Sequence, residues 1–140
     1  MATMRKAILV VDDDPADIFI TEKAITKFWP GSFIEHASDG SEAIKLINNG
    51  HQPELILLDL KMPGLGGLEV LSEIRKQEKT RYIPVVMLTS STLGSDLRAA
   101  YDAGANSYLN KTLDFDAFTE EIKAVLHYWL DLNMSLAEAS

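Results

Sequence analysis

The 140-residue sequence contains no cysteine, which excludes disulfides, thiolate zinc sites, iron–sulfur clusters and cysteine nucleophiles. Histidine is scarce, and His36, His51 and His127 stand too far apart to offer metal-ligand spacing. Positive charge is short as well. Lys and Arg number 13 against 21 Asp and Glu, a formal net charge of −8. Nucleic acid and anionic membranes both need clustered cations, so neither is an expected partner. Long apolar runs are missing. The first run follows Met1-Ala2-Thr3-Met4-Arg5-Lys6 and meets Asp12-Asp13-Asp14 too soon for a secretory or membrane-spanning segment, and a cytoplasmic location is expected. With no repeat, low-complexity segment or linker, residues 1–140 read as one domain, with 128–140 as the end and tail of its last helix.

What the sequence does have is an ordinary globular balance, 46% hydrophobic and 24% charged. Its apolar residues come in short runs that stop abruptly. Ala7-Ile8-Leu9-Val10-Val11 stops at Asp12, Leu55-Ile56-Leu57-Leu58 at Asp59, and Pro84-Val85-Val86-Met87-Leu88 at Thr89. Such unbroken runs suit buried strands. Ser107-Tyr108-Leu109, shortly before Lys111, and Phe33-Ile34-Glu35-His36-Ala37 are weaker candidates. Helical periodicity fills the intervals. Ile18, Thr21, Ala24, Ile25 and Phe28 share one helix face, and Leu68, Leu71, Ile74 and Arg75 another. Residues 41–49 and 96–103 also read as helices, ended by Gly50 and Gly104.

Five strand–helix units imply a doubly wound α/β fold, a parallel sheet with helices on both faces. The functional crevice of such a sheet lies at the carboxyl ends of its strands. Asp12, Asp13, Asp59, Thr89 and Lys111 should therefore meet at one edge, far apart though they are in the chain. Carboxylates crowded together repel by about 4 kcal/mol per pair at 4 Å and an effective dielectric of about 20. A bound cation relieves that repulsion. Oxygen-only ligands favour a hard ion, and partly hydrated Mg²⁺ suits a site shared with phosphate. A carboxylate there can attack a phosphoryl group, with Thr89 and Lys111 available to neutralise its oxygens. Taken singly, each residue has a plainer explanation. Asp14-Pro15-Ala16-Asp17 reads as N-cap, N1 proline and acidic third position of a helix, which assigns Asp14 and Asp17 to capping. Asp12 and Asp13 precede that cap and are not explained by it.

Four segments resemble the receiver domain of two-component response regulators: Ile8-Leu9-Val10-Val11-Asp12-Asp13-Asp14-Pro15, Leu57-Leu58-Asp59-Leu60-Lys61-Met62-Pro63-Gly64, Pro84-Val85-Val86-Met87-Leu88-Thr89-Ser90 and Ala103-Gly104-Ala105-Asn106-Ser107-Tyr108-Leu109-Asn110-Lys111. They stand in family order and cover residues 5–127. The resemblance implies a five-stranded flavodoxin-like sheet in the order 2-1-3-4-5, an order that general knowledge of such folds already attaches to receivers. It further implies that Asp59 accepts phosphate from a sensor histidine kinase. Asp12, Asp13, Asp59 and the backbone carbonyl of Lys61 would ligate Mg²⁺. Thr89 and Lys111 would hold phosphoryl oxygens, and Tyr108 would turn inward as Thr89 moves, exposing a change on the fourth helix, fifth strand and fifth helix.

Three positions depart from the family pattern. Thr112 follows Lys111 where proline after a cis bond is usual, so the bond is either trans or held cis at a cost of about 3–4 kcal/mol. The Lys61 side chain can overhang the phosphate or stay solvated. Gly66-Gly67 replaces an acidic-Gly pair, which should loosen the start of the third helix.

Phe115, Phe118, Ile122, Val125, Leu126 and Trp129 form one helical stripe that reads as core. Beyond it, Tyr128, Trp129, Leu130, Leu132 and Met134 add apolar surface, read as a homodimer or partner face centred on Tyr128, Trp129 and Leu132. This ending resembles small stand-alone receivers paired with phytochrome-type kinases. The expected function is a stand-alone phosphoacceptor, not an enzyme beyond self-phosphorylation and slow autodephosphorylation. Two alternatives are a phosphorylation-independent adaptor and a haloacid-dehalogenase-type phosphatase with Asp12 as nucleophile.

Overall fold

In the computed structural model, which describes residues 6–136, alternation inside the apolar runs decides how the sheet is covered. Strand β1 (Ala7–Val11) sends Ile8 and Val10 to one face, Leu9 and Val11 to the other. Strands β3 (Leu55–Leu58) and β4 (Val85–Thr89) divide in the same way, Leu55, Leu57, Val86 and Leu88 against Ile56, Leu58, Val85 and Met87. Both faces of the central strands are therefore dry, which is why they read as unbroken runs. The edge strands β2 (Phe33–Ala37) and β5 (Ser107–Asn110) are only partly covered. All pairs are parallel, and the order is β2-β1-β3-β4-β5. The expected doubly wound topology holds.

Helices α1 (Pro15–Phe28) and α5 (Phe115–Leu126) cover one face. Helices α2 (Gly40–Asn48), α3 (Gly67–Lys76) and, through Ala100, α4 (Gly94–Asp102) cover the other. Asp14 caps α1 as expected, accepting the Ala16 N–H at 2.9 Å. Asp39 starts α2 earlier than the pattern suggested by accepting the Glu42 N–H at 2.8 Å.

Arg75 was placed on the inner face of α3 with the aliphatic residues, and its guanidinium turns out to be a clamp. It donates to the Gly104 carbonyl from Nε at 3.0 Å and Nη2 at 2.8 Å, to Ile83 O at 2.8 Å and to Asn106 Oδ1 at 2.8 Å. Asn106 Oδ1 also accepts the Val85 N–H. Gly104 adopts φ +107°, a left-handed conformation that presents its carbonyl here at no side-chain cost.

The end of the chain differs from the expected stripe. After α5 the backbone widens into a π-helical turn, His127–Leu132, closed by Asn133 N–H to Tyr128 O at 2.7 Å. That turn carries Leu130 into the core and packs Trp129, half-buried, against the α1/α5 cluster. Trp129 packs as the core stripe expects rather than as open partner surface, and Leu130 is not the free surface the sequence suggested. Tyr128, Leu132 and Met134 do stay exposed, and so does Phe115, which the stripe had placed in the core. Residues 137–140 of the expected tail lie outside the described range, as do residues 1–5. Among the described residues no helix is long and apolar enough to cross a membrane.

Candidate functional site

Register brings the strand ends level. Val11 pairs with Leu58, Leu58 with Met87, and Thr89 with Asn110. The next residues still join the ladder: Asp59 N–H bonds Val11 O at 2.9 Å, and Lys111 N–H bonds Thr89 O at 2.7 Å. Asp12, Asp59, Thr89 and Lys111 thus emerge side by side from four adjacent strands. Asp12, Asp59 and Thr89 are buried, whereas Asp13 faces solvent.

Asp12, Asp13 and Asp59 each offer a carboxylate oxygen, and these lie within 4.8 Å of one another. The donor set is oxygen only, two carboxylates buried and one exposed, and fits a hard divalent cation that keeps some of its waters. Lys111 is the cation the chain itself supplies. Its Nζ lies 2.7 Å from Asp12 Oδ2, 2.8 Å from Asp17 Oδ2 and 3.5 Å from Asp59 Oδ2. The Lys111–Thr112 bond is trans, like every peptide bond among the described residues.

Burial dominates the electrostatics. It pushes the Asp59 carboxyl up to about 6; Lys111 opposes the rise and the negative charge of Asp12 adds to it. Burial likewise raises Asp12, although bonds from Lys111 and the Asp14 N–H hold it back. Desolvation works against the Lys111 ammonium, yet its bonds to Asp12 and Asp17 and the charge of Asp59 outweigh that penalty and raise its pKa. The site is an acidic pocket whose carboxylates are under-neutralised by one lysine.

A second layer surrounds the pocket. Thr89 Oγ1 accepts the Ser91 N–H at 3.3 Å, and the Ser91 carbonyl accepts Tyr108 OH at 3.1 Å and Asn110 Nδ2 at 3.2 Å. The Ser91 hydroxyl donates to Asp96, which also pairs with Lys61 Nζ at 3.2 Å. The Lys61 side chain, largely exposed, is thus paired with the first turn of α4. Gly66-Gly67 does not loosen α3. An added Cβ on Gly67 would meet Asp59 O at 2.2 Å, so the helix start is pressed onto the strand end, and Glu69 Oε1 accepts the Gly66 N–H at 3.1 Å. Sequence reasoning missed Asp17, Ser91 and Asp96. A first-turn acid such as Asp17 is accounted for locally by the capping pattern, so the sequence holds no local signal for its contact with Lys111.

A sequence profile for the response regulator receiver domain matches residues 8–123. The chain is 39% identical over 133 residues to the probable methanogenesis regulatory protein FilR2 of Methanothrix harundinacea, covering 91% of this chain and 86% of that protein. The phosphorylated cyanobacterial phytochrome response regulator RcpA superposes with a TM-score of 0.86 at 31% identity, covering 94% of this chain and 98% of RcpA. The Mn²⁺-bound form of response regulator Rcp1, from Synechocystis sp., gives 0.83 at 30% identity, covering 92% and 97%.

Proposed function

We propose, because this chain belongs to the response regulator receiver family, that it accepts a phosphoryl group on Asp59 from a sensor histidine kinase and signals through altered protein–protein contacts. One observation carries this reading: Asp59 directly follows β3 with its carboxylate beside Asp12, Asp13 and Lys111 in a single acidic pocket. An Asp59 oxygen forms the new bond to phosphorus while the bond from phosphorus to the donor imidazole nitrogen breaks, its electron pair leaving with the imidazole. Asp12, Asp13, Asp59 and the Lys61 carbonyl would hold Mg²⁺, which when bound supplies charge neutralisation for the incoming phosphoryl group. Thr89 and Lys111 are assigned the phosphoryl oxygens. Tyr108, joined to the loop after Thr89 through the Ser91 carbonyl, is assigned the readout.

Mapping phosphate by mass spectrometry after incubation with Mg²⁺ and acetyl phosphate tests the assignment. Modification of Asp59 alone, abolished in Asp59→Asn, is expected; phosphate elsewhere, or surviving that substitution, removes it. Partner binding indifferent to Asp59→Asn would favour an adaptor instead.

The likeness to RcpA over most of both chains supports a phytochrome-type kinase as the donor. The net charge of −8 supports a protein partner over nucleic acid or membrane, and a cytoplasmic, single-domain protein accords with this. Exposed Tyr128 and Leu132, with Trp129 bracing the turn behind them, are assigned to a homodimer contact. Oligomeric mass with and without Mg²⁺ and beryllofluoride checks it. A monomer in every condition would exclude the dimer.

A further inference from the structure

The geometry points to Asp17 as a positioning residue for Lys111, holding its ammonium at the α1 side of the pocket until phosphoryl oxygens compete it away; this rests on the reading of Asp59 as phosphoacceptor. Lys111 has three N–H donors, and its two short contacts go to Asp12 Oδ2 at 2.7 Å and Asp17 Oδ2 at 2.8 Å. Its separation from Asp59 Oδ2 is longer, 3.5 Å. The lysine that must serve the phosphoryl group is therefore drawn toward helix α1 while Asp59 is a free carboxylate.

The two short partners are not equivalent. The Asp12 side chain is 4% exposed and belongs to the carboxylate cluster, whereas that of Asp17 is 36% exposed. Released from Lys111, Asp17 returns to water at small cost; Asp12 cannot. Asp17 is thus the contact that yields when anionic oxygens arrive on Asp59. A small cavity lined by Asp17, Ile20, Thr21, Lys111, Thr112 and Phe118 lies on the α1 side of the lysine. Asp17 sets how readily Lys111 is surrendered. A partly exposed pair of this kind changes an equilibrium by about two- to fivefold.

The test uses the full chain at saturating Mg²⁺, with bound beryllofluoride followed by fluorine NMR. Asp17→Asn should tighten the apparent affinity about two- to fivefold. Asp17→Glu, which can still reach Lys111, should stay near wild type. Asp14→Asn makes the same charge change at the cap of the same helix without touching Lys111, and should have a smaller effect. An unchanged affinity in Asp17→Asn, or equal tightening in Asp14→Asn, would overturn the role. The Lys111 side-chain ammonium resonance gives a second readout, which should lose protection from exchange in Asp17→Asn. A wild-type chain that binds no beryllofluoride would overturn the phosphoacceptor reading; an ammonium signal insensitive to Asp17→Asn would overturn only the positioning role.

Discussion

Asp59 sits where its own surroundings would rather see it protonated. Its folded pKa of about 6 lies above the ordinary 3.8, so between these values the native state binds more protons than the unfolded chain. Stability from this group is fully present below about pH 4 and is lost as pH rises through about 6. In metal-free protein at pH 7.5, Asp59→Asn should therefore raise stability, on the order of 1–3 kcal/mol, and the gain should vanish near pH 4; urea denaturation at the two pH values measures it. Gly67→Ala should go the other way. Its Cβ would collide with the Asp59 carbonyl, costing roughly 1–3 kcal/mol, while Gly66→Ala, with no contact under 3.7 Å, should be nearly silent. At this scale the sequence was legible wherever a polar residue interrupts an apolar run, as at Asp12, Asp59 and Thr89. It was not legible at Asp17, because first-turn acids already have a local explanation and nothing local reveals a lysine arriving from β5.

Among the elements, the Arg75 clamp joins the end of α3, the entry to β4 and the α4–β5 turn. Replacing Arg75 by Met keeps the packed stem and removes the donors, leaving the Gly104 and Ile83 carbonyls without their charged partner. A loss of about 2–4 kcal/mol is expected, with faster amide exchange at residues 83–85 and 104–107 than elsewhere in the sheet. The strands and helices themselves were readable, since period-2 and period-3.6 patterns survive in short segments. The end of α5 was not. A stripe extrapolated at 100° per residue assumes the α-helical turn continues, and the π-helical widening at His127–Leu132 changes which residues face inward. Leu130 is the residue it turns inward, while Trp129 packs on the core where the stripe places it, and Trp129→Ala should cost stability irrespective of dimerisation.

For the molecule as a whole, an excess of eight negative charges is partly concentrated in one pocket. A cation bound there favours the native state by mass action, about 2.7 kcal/mol at a concentration one hundred times its dissociation constant. Thermal melts should therefore rise with Mg²⁺, and the rise should shrink sharply in Asp12→Asn. A midpoint equally responsive in that variant would mean the ion acts elsewhere.

Asp12 and Lys111 are 99 positions apart, and the lysine directly follows β5, the last strand of the sheet to be made. Chains elongate at about 5–20 residues per second, so during biosynthesis the three carboxylates exist for several seconds before the lysine that partners them. The carboxylates lie at the ends of β1 and β3, which are paired neighbours inside the sheet. A nascent chain at that stage carries a concentrated negative charge with no Lys111 to offset it.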